Sequence, residues 1–577
     1  MTPGSHTWSS SRSYAVFVDA TALLGWAQAA LAAGDLGAAL GCLREAVAAG
    51  ANPPAHQLLG GLLFFDDDLA GARREWELAF REWKDAGETR RAALVAADLA
   101  DLHTSGLGNP VVGQGWISRA RRLLARTGRC PEQGYVELAL IACDDDVQRL
   151  QQSAEMALGL AGDFGDTELE VLALADMGYA LVVQGRIAEG FATLDEAMAA
   201  MSAGEVHNFS VIGKSFCALL SACERAGDVA RAEEWVRVVT EALTAPFGGR
   251  PRATHSHCRL AYGSVLCTAG RWTEGEAAIL DVLGPTGSAY LSHRSEAAAR
   301  LASLRLLQGR VEEAAELLRP FEDRPSSCEP LARLHLITGD LDLADAVGRR
   351  GLGAVGHDRL RSGTLRSVLV EVALARNAIP AATVHANALE ELAQVTESRM
   401  LRAEAALARG RVAAARLDPE AAGGSLEEAR SQLHPDERPV LAGIAALELA
   451  QALGDLGDRG RAVDHARAAL AIFHRLGAAP LIDRTTALLR SLGVRPRGVE
   501  GPTEAVAGLS NRDRQVLALL REGLTNPEIG ERLFISAKTA EHHVGRVLAK
   551  LGVRSRTEAA AAATAAALIA EPPPSHQ

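Results

Sequence analysis

Residues 509–559 read LSNRDRQVLALLREGLTNPEIGERLFISAKTAEHHVGRVLAKLGVRSRTEA, and this stretch decides how the C-terminal part of the chain folds. Its apolar residues recur at the spacing of a helix face, for example at Val516, Leu517 and Leu520. Gly523 stands where glycine ends a helix, because glycine tolerates the left-handed conformation found there. The stretch therefore predicts a compact group of short helices.

Capping residues mark the beginning of four helices in this stretch. Such residues accept hydrogen bonds from the backbone N–H groups that have no partner at a helix start. The four starts are at Ser510 with Asp513, Asn526 with Pro527, Ser536, and Ser555 with Glu558. Ile529 and Leu533 would face the core from the second helix, and Gly530 would let a neighbouring helix approach closely.

The third helix separates its apolar and polar residues onto two faces. The residues at buried spacing are Ala540, Val544, Val547, Leu548 and Leu551. The residues on the opposite face are Lys538, Glu541, His542, Gly545, Arg546 and Lys550. A short helix, a tight turn and a second helix with a polar outer face form a helix-turn-helix, whose second helix enters the DNA major groove.

This stretch resembles the LuxR-type helix-turn-helix domain of bacterial transcription regulators. The positions that match the family pattern are Leu509, Arg512, Val516, Leu517, Gly523, Asn526, Glu528, Ile529, Leu533, Ser536, Thr539, His543, Val544, Leu548, Lys550, Leu551, Gly552, Val553 and Arg556. The resemblance covers about sixty residues and implies DNA binding as a dimer. It also implies that the helix of residues 536–551 lies in the major groove.

The sequence departs from the family pattern in two ways. Asp513, Gly530 and Ala540 stand where glutamate, alanine and valine are usual. Glu541 and Gly545 stand at outward positions where many relatives have lysine. A carboxylate repels phosphate but can accept a hydrogen bond from cytosine N4, so the family's base preferences do not carry over. The alternative interpretation is a helical bundle that only mediates dimerisation.

We expect the DNA-contacting residues to divide into two groups. The predicted phosphate contacts are Lys538, Thr539, Arg546 and Lys550, with Arg554 and Arg556 on the flanking phosphates. The predicted base-edge contacts are Glu541, His542 and the opening at Gly545. His543 is either structural or phosphate-facing, and the sequence leaves both open.

The net charge of −12 over 577 residues is unevenly distributed. Residues 509–569 contain nine Arg and Lys against six Asp and Glu, a net of +3, which leaves −15 for the rest. A basic DNA-binding domain attached to an acidic body fits this asymmetry. The low aromatic content of 4% and the abundance of alanine favour an all-α fold.

The larger part of the chain is a repeat array. An apolar helix, a Gly-Asp or Gly-Arg turn as at Gly34-Asp35, and a second helix with small residues recur in steps of 30 to 43 residues. We call one position per copy the anchor, and it holds Ala or Gly in every copy except the degenerate fourth one, where it holds Leu150. The anchors are Ala39, Ala72, Gly113, Leu150, Gly190, Ala232, Gly275, Ala314, Ala344, Ala382, Ala422 and Ala462. The pattern resembles the tetratricopeptide repeat and predicts an α-solenoid of about twelve helix pairs with a concave surface.

The predicted domains follow from these patterns. They are a disordered N-terminus at 1–12, a helical-repeat domain at 13–492, a linker at 493–508 rich in Gly and Pro, the helix-turn-helix domain at 509–570, and a disordered tail at 571–577. The repeats begin within the first twenty or so residues, so we expect no ATP-binding module in front of them. The apolar stretch 14–33 contains Asp19 and is predicted to be the first repeat helix, not a signal peptide or membrane span.

Other motifs do not predict catalytic chemistry. Gly213-Lys214-Ser215 lacks the first glycine of a phosphate-binding loop. The acidic triplets 66–68 and 144–146 are predicted to be turns, and no catalytic constellation is visible, so no enzyme is expected. The eight cysteines have no metal-site or disulfide-framework spacing, which favours reduced thiols, no metal and no cofactor. The tryptophans, such as Trp76 and Trp272, could line a ligand groove on the concave surface, but we expect them to pack in the core between helices.

Two functional hypotheses remain at this point. The favoured one is a cytoplasmic, sequence-specific transcription regulator that binds double-stranded operator DNA as a homodimer. Its repeat body would bind a protein, peptide or small-ligand partner. The alternative is a protein-interaction scaffold in which the C-terminal domain only dimerises.

Overall fold

The computed structural model describes residues 20–50, 52–141, 146–244, 256–284, 290–494, 511–533, 535–551, 553 and 555–560. These residues contain helices, turns and loops but no strand. The chain divides into two compact units, Met1–Asp483 and Arg484–Gln577, which are described separately below. We call the first unit the repeat body. The predicted termini at 1–12 and 571–577 lie outside the described residues.

The described residues of the first half of the repeat body form twelve α-helices. They are α1 (Ala20–Ala32), α2 (Leu36–Ala48), α3 (Pro53–Phe65), α4 (Leu69–Asp85), α5 (Thr89–Asp101), α6 (Pro110–Leu124), α7 (Glu132–Ile141), α8 (Val147–Phe164), α9 (Thr167–Val183), α10 (Ile187–Ser202), α11 (Phe209–Ala226) and α12 (Val229–Thr244). A π-helical segment, Leu102–Gly106, extends α5.

The helices continue in the same way through the second half. They are α13 (Ser256–Thr268), α14 (Trp272–Leu283), α15 (Leu291–Gln308), α16 (Val311–Leu318), α17 (Cys328–Thr338), α18 (Leu341–Ala354), α19 (Arg359–Ala375), α20 (Ile379–Gln394), α21 (Arg399–Ala415), α22 (Pro419–Ser431), α23 (Pro439–Asp455), α24 (Arg459–Leu476) and α25 (Ala479–Ser491). Short 3₁₀ segments at Arg319–Phe321 and Pro325–Ser327 connect α16 to α17.

Helices α1 to α24 pair consecutively, and we call the first helix of each pair A and the second B. Each pair also packs on the next, which makes this unit an α-solenoid like the tetratricopeptide arrays. All twelve anchors lie on B helices and are buried. Within the described residues there are therefore twelve repeats, as the sequence pattern predicts.

Eleven of the twelve anchors are Ala or Gly, because the two helices of a pair cross closely. In the fifth repeat, a Cβ built on Gly190 would lie 2.7 Å from the carbonyl oxygen of Gly178 on the A helix. A Cβ on Gly275 in the seventh repeat would lie 2.6 Å from the carbonyl oxygen of Gly263. Both separations are shorter than van der Waals contact, so only glycine fits at these two crossings.

The Gly-Asp dipeptides end one helix and begin the next. Gly34 has a φ of 77°, which lets the chain leave α1 in the left-handed conformation. Asp35 then caps α2, because its Oδ1 accepts a hydrogen bond of 2.9 Å from the Ala38 N–H. Asp68 of the first acidic triplet caps α4 in the same way, through the Gly71 N–H at 2.8 Å. Asp146 of the second triplet caps α8, and residues 142–145 lie outside the described part.

Repeats that are far apart in sequence also contact each other. The Tyr290 hydroxyl, just before α15, donates a 2.7 Å hydrogen bond to the Phe64 carbonyl of α3. Lys214 of α11 forms a 2.9 Å ion pair with Asp101 of α5, and Gly213 to Ser215 lie within a continuous helix. Part of the surface of the A helices therefore packs against distant repeats. The repeat pattern alone does not predict these contacts.

One pair of cysteines corrects the expectation of reduced thiols. Cys217 of α11 and Cys258 of α13 form a disulfide, with their Cα atoms 5.1 Å apart. Their separation of 41 residues is about one repeat, so they occupy the A helices of consecutive repeats, which pack against each other. The short spacings by which disulfides and metal sites are recognised in sequences could not show this pair.

Three smaller predictions concern the tryptophans, the end of the array and membranes. Trp76 and Trp272 are buried core residues, only 4% and 6% exposed. The last helix of the array runs Ala479–Ser491 and so ends one residue before the predicted end of the helical-repeat domain at 492. Among the described residues, no helix is long and apolar enough to cross a membrane.

Candidate nucleic-acid interface

Apart from the end of α25, which extends past Asp483, the described helices of the second unit are α26 (Asn511–Arg521), α27 (Asn526–Leu533) and α28 (Ala537–Leu551), and residues 556–560 are also helical. Their buried core residues are Val516, Leu517, Leu519, Leu520, Ile529, Ala540, Val544, Val547 and Ala559. The apolar faces predicted for the first three helices are thus the faces that pack together. A fourth helix starts where the capping pair Ser555 and Glu558 predicts it, and the Ser555 hydroxyl accepts from the Glu558 N–H at 3.1 Å.

The cap of α27 lies one residue earlier than the sequence indicates. Thr525, not Asn526, is the capping residue, because the Glu528 carboxylate accepts from both the Thr525 N–H and hydroxyl, at 2.7 and 2.6 Å. These two hydrogen bonds lower the pKa of Glu528. Asn526 and Pro527 are then the first two helical residues. The sequence could not separate two adjacent residues that can both cap.

A tight turn joins α27 to α28. A Cβ on Gly530 would lie 2.8 Å from the Ile535 carbonyl oxygen, so the glycine allows the turn itself to approach closely. The Ser536 hydroxyl accepts from the Thr539 N–H at 3.1 Å and caps α28 as predicted. The Thr539 hydroxyl lies 2.8 Å from the same oxygen atom. Thr539 is thus exposed at the first turn of α28 but already has one hydrogen-bond partner.

The outer face of α28 is exposed and polar. Lys538 and Glu541 are 82% and 63% exposed and lie 3.9 Å apart, which is a weak surface ion pair. His542 is exposed beside them. Gly545 is exposed, with nothing within 4 Å of the position its Cβ would take, so the face is open there. These four residues form one continuous surface that another molecule can approach.

Arg546 and His543 are held by a buried carboxylate. Asp513 of α26 is fully buried, and its Oδ1 accepts from Arg546 Nε and Nη2 at 3.1 and 2.8 Å. Arg546 Nη2 lies 2.7 Å from His543 Nδ1, and this contact requires Nδ1 to be an acceptor and the proton to lie on Nε2. Asp513 therefore connects α26 to the polar side of α28. The sequence identified Asp513 only as a capping residue with Ser510, which lies outside the described residues.

Arginines at the edges of the domain also bind backbone carbonyls. Arg556 Nη2 donates to the Leu524 carbonyl at 2.9 Å, which ties the fourth helix to the turn before α27. Arg512 Nη2 donates to the Leu533 carbonyl at 2.8 Å, at the end of α27. Arg512 has a structural role that sequence reasoning missed, although it matches the family pattern. Arg554 and the side chain of Lys550 lie outside the described residues.

Comparison with protein families agrees with this geometry. The model of the family "Bacterial regulatory proteins, luxR family" matches residues 507–563. This range contains α26, α27, α28 and the start of the fourth helix.

Residues 507–563 are a LuxR-type helix-turn-helix domain.

Curated relatives of the LuxR-type domain are bacterial regulators. The DNA-binding transcriptional activator DevR/DosR of Mycobacterium tuberculosis (strain ATCC 25618 / H37Rv) is 37% identical over 121 residues, which are 21% of this chain and 46% of that one. The transcriptional regulatory protein LiaR of Bacillus subtilis (strain 168) is 50% identical over 52 residues, 9% of this chain and 25% of that one. This chain thus spans less than half the length of these relatives.

Some solved structures are similar to most of the chain at low sequence identity. One match is the crystal structure of the APC/C hetero-tetramer Cut9-Hcn1, with 14% identity and a TM-score of 0.45 over 82% of this chain and 97% of that one. Another is yeast Tom70, with 13% identity and a TM-score of 0.31 over 83% of this chain and 97% of that one.

Proposed function

We propose that this protein is a cytoplasmic bacterial transcription regulator that binds operator DNA in a sequence-specific manner through its LuxR-type domain. The observation that carries the proposal is the exposed polar face of α28, on the second helix of a helix-turn-helix in a family of regulatory proteins. The relative DevR/DosR is itself described as a DNA-binding activator. The active form on DNA is a homodimer, and the repeat body binds the partner or ligand that controls it.

The residues of α28 divide into positioning and base-contacting groups. Lys538 and Thr539 at the start of the helix, with Lys550, Arg554 and Arg556 further on, contact phosphates. Glu541 and His542 contact base edges where Gly545 leaves the face open. Glu541 suits cytosine, since a carboxylate accepts a hydrogen bond from the N4 amino group.

Arg546 and His543 have a double role in this proposal. Asp513 orients the Arg546 guanidinium, which is still 50% exposed and so can also meet a phosphate. His543 has its Nε2–H left to donate, because its Nδ1 already accepts from Arg546. The hydrogen bond to Arg546 supports a structural role for His543, and we propose that its Nε2 side also faces phosphate.

The test is binding of the full chain to genomic DNA fragments across a salt series. We expect selective binding whose affinity falls with salt, as counterion release requires. Lys538→Ala should weaken binding to all DNA sequences alike. It should also reduce the slope of log affinity against log salt concentration by about 1. Lys84→Ala is the matched control, because Lys84 is an exposed lysine on α4 of the repeat body. Binding that is neither selective nor salt-dependent would favour the scaffold hypothesis instead.

A further inference from the structure

Two of the cysteines that the structure describes are paired with each other, and the others are not. Cys217 of α11 and Cys258 of α13 have their Cα atoms 5.1 Å apart, within the range of about 4.4–6.8 Å that a disulfide requires. The free thiols among the described residues are Cys42, Cys130, Cys223, Cys267 and Cys328. The pairing is therefore specific to one place in the array, the boundary between the sixth and seventh repeats.

The two paired cysteines differ in their exposure. Cys258 is only 2% exposed, whereas Cys217 is half-buried, so a small molecule in solvent reaches the pair at the Cys217 sulfur. Each of the two helices also has a free thiol, Cys223 on α11 and Cys267 on α13. Burial raises the pKa of both, that of Cys267 to about 12, so these thiols stay protonated and unreactive at neutral pH. They serve as references for the chemistry of the pair.

Helix α15 holds α11 and α13 in place independently of the disulfide. Arg300 of α15 donates to both carboxylate oxygens of Glu224 on α11, at 2.6 and 2.7 Å. His293, also on α15, forms a hydrogen bond of 2.8 Å between its Nδ1 and the hydroxyl of Ser256 on α13. None of these hydrogen bonds involves a sulfur atom, so they remain when the disulfide is reduced. The two thiols then stay close enough to react with each other.

The sixth repeat is weakly packed at this boundary. Of residues 229–238 of α12, whose burial the structure describes, Ala232 alone is buried. The neighbouring B helices bury more: α10 buries five residues, among them Phe191 and Leu194, and α14 buries four. A region with little apolar burial opens at a low free energy. The boundary that the cysteines span should therefore open more readily than the boundaries beside it.

We propose that Cys217 and Cys258 form a reversible redox switch that responds to peroxides and locks the sixth repeat to the seventh. This inference rests on the proposed cytoplasmic location, where thiols are kept reduced and a disulfide forms in response to an oxidant. It goes beyond the proposed function, because it gives the repeat body an input that needs no bound ligand. The oxidised state is the locked one, since the disulfide removes opened states in which α11 and α13 separate.

The oxidation takes place in two steps. The Cys217 thiolate attacks one oxygen of hydrogen peroxide, the O–O bond breaks, and a sulfenic acid and a hydroxide ion form. The hydroxide takes a proton and becomes water. The Cys258 sulfur then attacks the Cys217 sulfur, the S–O bond breaks, and a second water leaves with the Cys258 proton. A dithiol reverses the process by attack on the Cys217 sulfur, and the electron pair of the broken S–S bond goes to Cys258.

The first experiment follows the thiols of the full chain by alkylation and mass spectrometry. The chain is reduced with dithiothreitol without denaturant, freed of it, and treated with hydrogen peroxide. We expect Cys217 and Cys258 to lose their thiols together while Cys223 and Cys267 keep theirs, and dithiothreitol to restore the pair. In Cys258→Ser, dimedone should capture a sulfenic acid at Cys217. In Cys217→Ser, capture at Cys258 should be about tenfold lower, because that sulfur is buried.

Three results of this experiment overturn the proposal. One is a pair that peroxide leaves reduced, and another is equal loss of the Cys223 thiol. The third is a disulfide that dithiothreitol reduces only in denaturant, because such a bond is a fixed structural link.

Hydrogen exchange measures the lock itself. Amides of α11 and α13 should exchange about tenfold more slowly in the oxidised chain, while those of α23 serve as an unchanged reference. Cys217→Ser should behave like the reduced wild type with or without peroxide, whereas Cys223→Ser should keep the difference between the two states. Equal exchange in the oxidised and reduced wild type overturns the proposal. DNA binding is measured on the reduced chain, so failure here leaves the regulator proposal standing, and the reverse also holds.

Discussion

The repeat body and the LuxR-type domain use the same helices and caps but place their charged residues differently. In the body, Arg411 of α21 is 15% exposed. Its guanidinium donates hydrogen bonds to Glu448 at 2.9 to 3.1 Å and to Glu371 at 3.0 Å. In the domain, Lys538 is 82% exposed and its nearest carboxylate is 3.9 Å away. Charges enclosed by several elements select one packing of those elements, whereas charges on an open helix face remain available to a ligand.

This comparison predicts that the largest loss of stability follows the loss of a buried arginine. Arg411→Ala removes this partner from the largely buried Glu448, while Glu371 keeps Arg333 at 3.5 Å, and the loss should cost about 3–5 kcal/mol. Arg409, two residues earlier on α21, pairs with Glu390 and Glu428, but these side chains are a third to a half exposed. Arg409→Ala should therefore cost less than about 1 kcal/mol. Urea denaturation followed by circular dichroism measures both, and equal losses would contradict the distinction.

A buried carboxylate without a partner should make the repeat body sensitive to pH. Glu404 is 8% exposed, its Oε2 has no hydrogen bond, and burial raises its pKa from 4.5 to about 7. Between these pH values the folded state keeps a proton that the unfolded state has lost, so stability falls as pH rises through this window. Above pH 7 the cost reaches about 3 kcal/mol.

The isosteric variant Glu404→Gln removes this cost. Its Tm should exceed that of the wild type at pH 8, and the difference should shrink as the pH is lowered towards 4.5. A Tm difference that does not depend on pH would show that ionisation of Glu404 is not the cause.

The close helix crossings of the body predict a smaller, steric effect. Gly190→Ala places a methyl group 2.7 Å from a backbone oxygen, and the helices must separate, at a cost of about 1–3 kcal/mol. Gly159→Ala on α8 has no atom within 4 Å of its new methyl group, so it should stabilise by about 0.5–1 kcal/mol. Opposite signs in the two denaturation midpoints are the expected result, and a stabilising Gly190→Ala would refute the close crossing.

The smallest effect on folding is expected on the outer face of α28. His542→Ala should change the free energy of unfolding by less than about 0.5 kcal/mol, because the side chain is exposed. The same variant should lose about 1–3 kcal/mol of affinity for the selected DNA fragment and relax specificity at one base pair. Binding titrations on selected and random fragments measure the two losses, and a uniform loss on both would place His542 among the phosphate contacts.

Local patterns predicted the elements of both regions well. The anchors, the Gly-Asp turns and the Ser536 cap depend on chemistry within one helix or one turn, so they are visible in a single stretch of sequence. The predicted cap at Asn526 was wrong by one residue, because Thr525 is equally able to cap and only the position of Glu528 decides between them.

Contacts between distant elements could not be predicted in the same way. The Cys217–Cys258 disulfide, the Arg546–Asp513 pair and the Lys214–Asp101 pair join residues that are 33 or more positions apart. Nothing in the local sequence distinguishes the charged residues of these two ion pairs from exposed charged residues. Arg546 could be placed on the polar side of α28, but its pairing with a buried carboxylate depends on how α26 packs.

The sequence by itself determined the all-α class, the repeat spacing of 30 to 43 residues, the helix-turn-helix and the polar face of α28. These features depend on helix periodicity and capping, which act over a few residues. Only the tertiary structure decided which of the charged residues are enclosed. That depends on the way A helices from non-consecutive repeats meet, which brings Lys214 and Asp101 within 2.9 Å of each other from 113 positions apart. Burial is a property of the packed chain, and no single stretch of sequence carries it.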